Sequence, residues 1–470
     1  MVMKHVGVIG MSVMGSNLAI NIAKNGYYVS IFNRTSKKTD KVIFNNPKIK
    51  LIPFYDIKLF IKSIKPPRCI FLVIQTGPSI DEIINLIKPI LNNGDIIIDF
   101  GNSFFKDTIK RYKQLKKEGL NFIGAGISGG KYGALYGPAI MPGCNKHVYK
   151  MVEEIFTKIS AKNYDNEPCV KYIGPNGSGH YVKMIHNGIE YSNMQLIAES
   201  YFILKNMLNI NNQKLSFIFN NWNIGELNSY LMEITKNIFI KLDDNNSYLI
   251  DNILDIADNK GTGKLSVINS LEINEPSNIV ASAVFSRFLS FMKTERILSS
   301  KILTGPKVVN IKDNKKLIIE KIRKSLFFCI IISYTQGFSQ LRSASNKYNW
   351  NLNYENIAKI FRQGCIIKAK LLEYVVCAYH ENKNLYNLLL SPYFNNIANN
   401  YNQSLRDIIS LSVQNGIPIP AFSSAISYYD SYRSSVLPAN LIQAQRDYFG
   451  AHKYKRIDKD GIFHTEKWIN

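Results

Sequence analysis

The chain has 470 residues, of which 46% are hydrophobic and 20% are charged, and its formal net charge at pH 7 is +23. A chain of this length is too long for one ordinary core, so we expect two or three domains. Its longest apolar runs, such as residues 326–332, fall far short of the roughly 20 residues that a membrane-spanning helix requires. The composition therefore excludes a single small domain and a helical membrane protein.

The positive charge raises the question of a nucleic-acid partner, because clustered lysines and arginines neutralise phosphates and release counterions. Here the basic residues are scattered through segments rich in Asn and Ile and form only short runs, such as residues 113–118 and 453–456. We therefore predict a solvated basic surface and no nucleic-acid partner. Such a surface would still raise the local concentration of small anionic substrates.

The cysteines and the chain ends bear on the compartment. Six cysteines lie far apart, without a CxxC pair or the dense spacing of a disulfide-rich domain, so we expect reduced thiols. The N-terminal segment enters a strand-like run without a charged leader followed by a long apolar stretch, and the C-terminal residues form no address signal. We expect a cytoplasmic protein with no membrane partner.

In chain order, the first third alternates short apolar runs with segments of helical length. The runs HVGVIG, YYVSIFN, CIFLVIQ, DIIIDFGNS and NFIGAGISGG each end in a turn. This alternation is typical of βαβ units, in which helices cover both faces of a parallel sheet. We predict that residues 1–176 form a Rossmann-type, doubly wound dinucleotide-binding domain of the α/β class.

A glycine-containing turn, GMSVMG at residues 10–15, follows the first predicted strand and opens a helix. It is a dinucleotide fingerprint with its middle glycine replaced by Ser12; glycines there let the backbone approach the pyrophosphate at the helix start. A plain strand-to-helix turn is the alternative, and the place of the motif in a βαβ series favours cofactor binding. The predicted contacts are Gly10, Ser12, Val13, Met14 and Gly15.

The end of the second predicted strand distinguishes between cofactors. An NAD enzyme places an acidic residue there to bind the ribose 2′-hydroxyl, whereas this chain has Asn33, Arg34 and Thr35. An arginine can stack on adenine and bind a 2′-phosphate through two hydrogen bonds, and Lys37 and Lys38 add positive charge. NADP is therefore favoured over NAD, although a simple surface arginine is the alternative.

After the turn at residues 174–179, long helical periods replace the strand-like runs, and residues 181–208 predict one helix. At 3.6 residues per turn, Lys183, Asn187 and Glu190 lie within roughly 60° of one another, with Lys183 and Glu190 about 10 Å apart along the axis. A solvated helix face is the alternative. The position of this helix, directly after a dinucleotide domain, favours the wall of a cleft between domains.

Two further turns have the composition of anion sites, although each could be a plain turn. Residues 126–130 (GISGG) end a predicted strand, and residues 258–264 (DNKGTGK) combine flexible backbone with lysines and a threonine. The seven histidines show no paired spacing with Cys or Asp. We therefore predict no metal site.

Residues 177–434 predict an all-helical domain with an internal duplication. Residues 190–199 resemble 333–342, and residues 221–231 resemble 360–370, each pair about 140 residues apart. Only the first copy carries the lysine and glutamate described above, so the second copy is expected to serve packing.

The last segment, residues 435–470, contains glutamines, aromatics and basic residues without a sustained helical period. We interpret it as a tail that needs another surface to lie on.

Several segments together resemble the decarboxylating 6-phosphogluconate dehydrogenases of the pentose phosphate pathway. They are SGGKYGALYGPAIMPGC, GHYVKMIHNGIEYSNMQLI, KGTGK, AVFSRFLS, and QAQRDYFGAHKYKR followed by FHTEKW. The resemblance spans nearly the whole chain. It implies oxidation of 6-phospho-D-gluconate by NADP, followed by loss of CO₂ to give D-ribulose 5-phosphate and NADPH.

The resemblance also implies site residues, position by position. Contacts to the sugar acid would come from Asn102, Ser128, Gly129, Gly130, His186 and Asn187. The phosphate would be held by Tyr191, Lys260, Thr262 and Arg287. Further cofactor contacts would be Val73, Ile74, Gln75 and Asn102. In this family the tail of one subunit completes the site of its neighbour, so Arg446 and His452 would act in an obligate homodimer.

The implied chemistry gives the polar helix residues separate roles. Neutral Lys183 would take the proton of the 3-hydroxyl as hydride leaves C3, and then hydrogen-bond the carbonyl oxygen during decarboxylation. Glu190 would protonate C1 of the resulting enediol. A lysine pKa near 8 instead of about 10.4 would require roughly 3 kcal/mol of differential interaction, from burial or nearby cations.

The chain departs from the family pattern at Ser12, Gln75–Gly77, Phe100, Lys131, Tyr132 and Leu265. These departures concern the cofactor contacts and the rim of the cleft, and none touches the predicted acid–base pair. A β-hydroxyacid dehydrogenase that acts on an unphosphorylated short acid is the alternative enzyme. The additional helical unit, KGTGK and the tail argue against it.

Overall fold

The computed structural model describes residues 5–309 and 314–469. The chain divides into two compact units, Met1–Ala425 and Ile426–Asn470. The ends of the predicted first domain and tail, at residues 1–4 and 470, and part of the predicted helical domain, at residues 310–313, lie outside the described residues. Within the described ranges no helix is long and apolar enough to cross a membrane.

The described part of the first unit begins with a seven-stranded sheet in the order β3-β2-β1-β4-β5-β6-β7. Its strands are β1 (His5–Ile9), β2 (Tyr28–Phe32), β3 (Leu51–Phe54), β4 (Cys69–Leu72), β5 (Ile96–Asp99), β6 (Asn121–Ser128) and β7 (Ala139–Gly143). Neighbouring strands are parallel except for β7, which pairs antiparallel with β6. This order confirms the predicted Rossmann-type sheet.

Helices cover both faces of the sheet. They are α1 (Val13–Lys24), α2 (Ser36–Asn45), α3 (Ile57–Ser63), α4 (Pro78–Ile87), α5 (Phe105–Lys117), α6 (Gly130–Tyr136) and α7 (Lys146–Ile159), with a 3-10 turn at Lys88–Ile90. Because side chains alternate along a strand, Ile96 and Ile98 pack in the core with α1 and α7. Ile97 packs in the opposite core with α3, α4 and α5. The sheet is therefore buried on both faces, as an apolar parallel strand requires.

Strands β3 and β7 were not predicted from the sequence. Both are short and lie at the two edges of the sheet, and each contains a proline, Pro53 or Pro142. Proline cannot donate to a sheet ladder and is tolerated at edges. A proline in such a short apolar run conceals the strand in the sequence pattern.

From Ser178 onward the described chain is mainly helical, which confirms the predicted large helical domain. Its helices are α8 (Ser178–Asn206), α9 (Asn212–Ile224), α10 (Tyr230–Ile240), α11 (Leu249–Asn252), α12 (Thr262–Glu272), α13 (Asn278–Phe291), α14 (Lys293–Ile302), α15 (Lys315–Tyr348), α16 (Tyr354–Phe361), α17 (Leu371–Glu381), α18 (Pro392–Gln414), α19 (Pro420–Arg433) and α20 (Ala439–Gly450), with a 3-10 turn at Leu388–Leu390. The exact borders of the three predicted segments remain predictions.

Helix α8 begins three residues before its predicted start at Tyr181. The reason is close backbone packing. A Cβ atom at Gly179 would lie 2.2 Å from the Met141 carbonyl oxygen and 2.4 Å from the Gly124 carbonyl oxygen. Gly179 therefore lies inside the helix, where it crosses β6 and β7, and its lack of a side chain permits the crossing.

The segments related by the predicted duplication lie beside one another. The two long helices, α8 and α15, pack together. Ser229 and Ala369 form an antiparallel bridge, and backbone hydrogen bonds join Tyr230 to Lys368 and Lys370 to Asn228. This pairing of equivalent segments supports the duplication.

The second unit contains helix α20, although no sustained helical period was predicted there. The apolar face of α20 is made of two pairs of residues, Leu441 with Tyr448 and Ile442 with Phe449. The members of each pair are seven positions apart, so all four share one helix face, and all four are exposed. The buried Asp447 accepts hydrogen bonds from the Lys453 and Thr465 backbones. The helix was missed because its apolar face has only two pairs of residues, too few to establish a period.

Candidate active site

A cleft of about 850 Å³ opens at the carboxyl ends of the parallel strands. Its lining includes most of the predicted cofactor residues: Gly10, Ser12, Met14, Asn33, Arg34, Thr35, Val73, Ile74, Gln75 and Asn102. The predicted phosphate residues Lys260 and Thr262 line the same cleft from the helical side. This is the position where open α/β sheets bind ligands.

Two predicted cofactor residues, Val13 and Gly15, do not belong to this lining. Gly15 has a packing role, because a Cβ atom there would lie 1.8 Å from the Gly10 carbonyl oxygen. Gly10 itself has φ +105° and no room for a side chain against the Val73 carbonyl oxygen. The turn therefore holds the start of α1 close to the strand ends, in the arrangement that receives a pyrophosphate.

The loop after β2 is tied to this turn by Asn33. Its Oδ1 accepts a hydrogen bond from the Met11 backbone (2.9 Å), and its Nδ2 donates to the Thr35 carbonyl oxygen (3.0 Å). Arg34 and Lys38 both line the cleft. Their charges fit a cofactor with an additional phosphate.

Part of the lining was not anticipated from the sequence. Ser79 and Glu82 of α4 are such residues, whereas Thr76, Gly77 and Phe100, which line the cleft after β4 and β5, belong to the departures that concern the cofactor contacts and the rim of the cleft. The signal that could have found them is topological, because residues after each parallel strand meet at the same sheet edge.

Lys183 lies on α8 and is 6% exposed. Its stem packs against Gly126 of β6, where a Cβ atom would lie 2.2 Å from the Lys183 Cβ. Burial lowers the pKa of Lys183 to about 8, while the charge of Glu190 opposes the shift. A lysine with this pKa is partly neutral near physiological pH and can act as a base.

Glu190 is partly buried, and its Oε2 lies 3.8 Å from the Nδ1 atom of His186. Burial raises its pKa, and the positive charges of Lys183, Arg287 and Lys260 act in the opposite direction. The environment therefore favours the protonated acid more than water does.

His186 joins the residues around Lys183 into one network. Its Nε2 lies 3.1 Å from Ser128 Oγ, and its Nδ1 lies 3.0 Å from Asn187 Oδ1 and 3.3 Å from Lys183 Nζ. The ring is fully buried and faces the edge of Phe361. Burial, together with the Lys183 charge, holds the pKa of His186 well below its usual value.

Tyr191 and Arg287 form the next part of the site. The Arg287 guanidinium lies over the Tyr191 ring, 3.6 Å from its centroid, and donates to the Asp258 carbonyl oxygen (3.1 Å). A Cβ atom at Gly263 would lie 2.5 Å from the same ring. The first turn of α12 can therefore approach Tyr191 only because residue 263 is glycine.

The remaining predicted residues lie at turns or in the second unit. Asn102 is exposed after β5, and Gly129 and Gly130 adopt positive φ angles of 113° and 59° at the end of β6. Arg446 and His452 are exposed residues of the second unit, and their contribution to a site remains a prediction. Gly188 of α8 leaves room for Ser266 of α12, because a Cβ atom at position 188 would lie 2.8 Å from the Ser266 Oγ atom.

No group of three or more His, Cys, Asp or Glu side chains that could hold a metal ion occurs among residues 5–309 and 314–469. The six cysteines are free thiols, and Cys377 is the exposed one.

Comparison with known proteins connects both parts of the chain to one family. Residues 5–174 match the family described as the NAD binding domain of 6-phosphogluconate dehydrogenase. Residues 179–468 match the family described as 6-phosphogluconate dehydrogenase, C-terminal domain.

Individual relatives agree over the full length. The decarboxylating 6-phosphogluconate dehydrogenase of Escherichia coli (strain K12) is 56% identical over 99% of both chains. The enzyme of the same name from Buchnera aphidicola subsp. Baizongia pistaciae is 59% identical over 99% of both chains. A solved structure of Plasmodium falciparum 6-phosphogluconate dehydrogenase, a protein described in its apo form, with its cofactor NADP+ and with its substrate 6-phosphogluconate, superposes with a TM-score of 0.95. It is 42% identical and covers 98% of this chain and 100% of its own.

Proposed function

The chain belongs to the 6-phosphogluconate dehydrogenase family, and from this premise we propose that it converts 6-phospho-D-gluconate to D-ribulose 5-phosphate and CO₂ while reducing NADP to NADPH. The observation that carries the proposal is the buried Lys183, with a pKa of about 8, whose Nζ lies 3.3 Å from the His186 Nδ1 atom that Glu190 Oε2 faces at 3.8 Å. The expected cytoplasmic location and the pentose phosphate pathway are part of the same proposal.

The predicted cofactor residues would bind NADP and orient it. Gly10 allows the backbone to come close to the pyrophosphate, and the start of α1 offers its N–H groups. Arg34 and Lys38 would bind the 2′-phosphate through charge-assisted hydrogen bonds. When bound, the nicotinamide supplies the acceptor for a hydride.

Lys183 acts first as a base. In its neutral form it takes the proton of the substrate 3-hydroxyl as hydride leaves C3, which yields a β-keto acid and a lysine ammonium. The ammonium then hydrogen-bonds the new carbonyl oxygen and passes a proton to it as CO₂ leaves, which gives the enediol and a neutral Lys183. Because that oxygen gains negative charge as CO₂ leaves, the hydrogen bond is strongest in the transition state.

Glu190 acts last. Its environment keeps the carboxyl group protonated more readily than in water, so it can deliver a proton to C1 of the enediol. The enediol hydroxyl returns its proton to neutral Lys183 or solvent, and D-ribulose 5-phosphate forms. The proximity of the two groups to His186 supports this division of roles.

The substrate is held at both ends. Ser128, Gly129, Gly130, Asn102, His186 and Asn187 would contact the sugar acid. Lys260, Thr262, Tyr191 and Arg287 would hold the phosphate, and Arg446 and His452 of the partner subunit would complete that site.

A homodimer is supported by two exposed apolar faces. One is the α20 face described above. The other lies on α13, where Phe285, Phe288 and Leu289 are exposed. Exposed patches of this kind are typical of protein interfaces.

The direct test is NADPH absorbance with 6-phosphogluconate as substrate, with CO₂ release measured in parallel. We expect both products, and loss of both in Lys183→Met. The control is Lys316→Met, which changes an exposed lysine on α15 and should leave the rate unchanged. Absence of NADPH with the wild-type protein, or activity on unphosphorylated 3-hydroxyisobutyrate alone, would contradict the proposal.

The cofactor assignment has its own test. Arg34→Ala should raise the KM for NADP by about 10- to 100-fold, because a charged hydrogen bond to phosphate contributes roughly 1.5–3 kcal/mol. The KM for NAD should change little. Equal use of both cofactors by the wild-type protein would contradict the role of Arg34.

A further inference from the structure

His186 lies between two groups that change their hydrogen-bonding roles. Its Nδ1 faces Lys183 Nζ at 3.3 Å and Asn187 Oδ1 at 3.0 Å, and its Nε2 faces Ser128 Oγ at 3.1 Å. The ring is fully buried, so its nitrogens must find their partners within the protein. The same ring therefore touches the base of the proposed reaction at one nitrogen and a substrate-binding hydroxyl at the other.

The environment of the imidazole favours its neutral form. Burial is the main cause of its low pKa, and the neighbouring Lys183 charge lowers the pKa further. A neutral imidazole has one N–H, which sits on either Nδ1 or Nε2. Two tautomers are available, and the neighbours decide between them.

When Lys183 is a neutral amine, both neighbours of Nδ1 can accept a hydrogen bond. The Asn187 Oδ1 atom is an acceptor only, and the amine has a lone pair. Nδ1 then carries the hydrogen. Nε2 is bare and accepts from the Ser128 hydroxyl, whose hydrogen is therefore directed at the ring.

When Lys183 is an ammonium, it has three donors and no acceptor. Nδ1 must now be bare to accept from it, and the Asn187 amide turns its oxygen away. The ring hydrogen moves to Nε2, which donates to Ser128 Oγ. The Ser128 hydroxyl then has its own hydrogen available for another acceptor.

We propose that the charge of Lys183 sets the tautomer of His186, and that His186 thereby decides whether Ser128 donates its hydrogen to the ring or to the bound sugar acid. His186 is a positioning residue, since it acts through Ser128. This inference rests on the proposed function for its catalytic meaning, and on the distances and the burial of the ring for the coupling.

The proton count balances. Charging Lys183 takes up one proton, from solvent in the free protein or from the 3-hydroxyl during turnover, while the ring keeps one N–H in both states. In turnover, the Ser128 hydrogen would become available as the β-keto acid forms.

Four other groups lie near His186, Lys183 or Ser128. Glu190 Oε2 lies 3.8 Å from His186 Nδ1. Cys365 lies close enough to affect the pKa of Lys183, and the Phe361 ring packs against the imidazole in a T-shaped arrangement. On the far side, the Ile366 backbone N–H donates to Ser128 Oγ at 3.4 Å in addition to the ring contact. Glu190 favours an N–H at Nδ1 when it is ionised, so its titration must be separated from that of Lys183.

The test is ¹⁵N NMR of the full-length, ligand-free protein labelled at histidine, from about pH 6 to about pH 10, across the pKa of Lys183. Protonated and bare ring nitrogens give well-separated resonances, and the His186 signals are identified by their loss in His186→Asn. We expect Nε2–H at low pH and Nδ1–H at high pH, with a midpoint near 8. Glu190→Gln should keep this exchange.

Lys183→Met should hold Nδ1–H at every pH, whereas Lys316→Met should titrate like the wild type. One unchanged tautomer across the range in the wild type, doubly protonated His186 at low pH, or an exchange that persists in Lys183→Met would overturn the inference. NADPH formation without the exchange would leave the proposed function intact and remove the coupling. The exchange without NADPH formation would do the reverse.

Discussion

The two long helices of the first unit use buried polar residues differently. Helix α8 buries charged or chargeable groups, Lys183, His186 and Glu199, and half-buries Glu190. Helix α15, which packs against it, buries neutral groups instead: Ser333, Thr335, Gln336, Ser339 and Gln340. Of these two helices, α8 therefore carries the groups that we propose for the chemistry, whereas α15 carries groups that hydrogen-bond to neighbouring helices.

The neutral groups on α15 hold neighbouring helices. Gln340 donates to the Ser266 carbonyl oxygen (2.9 Å) and accepts from Ser277 (3.2 Å), and Gln336 accepts from the Ile279 backbone (3.2 Å). Such amides connect α15 to α12 and α13 without the desolvation cost of a charge. Helix α8 bears that cost, and burial shifts the pKa of Lys183, His186 and Glu199 in the direction that favours the uncharged form of each.

The largest expected contrast comes from removing the charge on α8. Lys183→Met should lower kcat for 6-phosphogluconate by about 10²- to 10⁴-fold, the usual contribution of a general base. The free energy of unfolding of this variant should not fall, because the substitution removes a charge whose burial destabilises the folded state. Steady-state kinetics and urea unfolding measure the two effects, and an unfolding midpoint far below that of the wild type would show that Lys183 is mainly structural.

The second contrast concerns Glu199, whose carboxylate accepts from the Ala421 and Phe422 backbones at the start of α19. Burial raises its pKa to about 7. The folded state therefore retains a proton that the unfolded state releases above its own pKa of about 4.5. Stability is lost as pH rises from about 4.5 to about 7, by about 3 kcal/mol.

Glu199→Gln keeps an acceptor oxygen and carries no charge, so the loss of stability in this pH window should be about 3 kcal/mol smaller than in the wild type. Urea unfolding at several pH values measures it. Glu233→Gln, at an exposed position on α10, is the control. Parallel stability curves for wild type and Glu199→Gln would contradict the assignment.

A change on α15 should have a smaller effect, and on a different quantity. Gln340→Leu leaves the Ser266 carbonyl oxygen without the amide donor and should cost about 2 kcal/mol of unfolding free energy. We expect kcat to stay within about twofold of the wild-type value. A twofold difference corresponds to less than 0.5 kcal/mol in the activation barrier. A large loss of kcat in a normally folded variant would end the division between the helices.

A final prediction concerns the pH profile, which requires no substitution. If the neutral form of Lys183 is the base, as we propose, kcat/KM should fall tenfold for each pH unit below about 8 and level off above it. Stopped or continuous NADPH assays across this range measure the limb. A flat profile between about pH 6 and about pH 8 would exclude Lys183 as the titrating base.

The helical period made part of this site predictable. Lys183, Asn187 and Glu190 could be placed on one face because their spacing depends only on residues per turn. The hydrogen bond from the Ala421 backbone to Glu199 could not be predicted, since the two residues are 222 positions apart in the sequence. Edge strands with prolines, and the packing role of Gly15, were likewise invisible without the neighbours that give them meaning.

One feature constrains how ligands enter. The Gly179 backbone of α8 lies directly against the Gly124 carbonyl oxygen of β6, and Gly124 and Gly126 lie against the His180 and Lys183 side chains of α8, so this junction is closely packed. We expect α8 and the sheet to move as one rigid body. Opening of the cleft must then come from its loops, such as the one around Lys260, and turnover would be gated there instead of by a hinge between the domains.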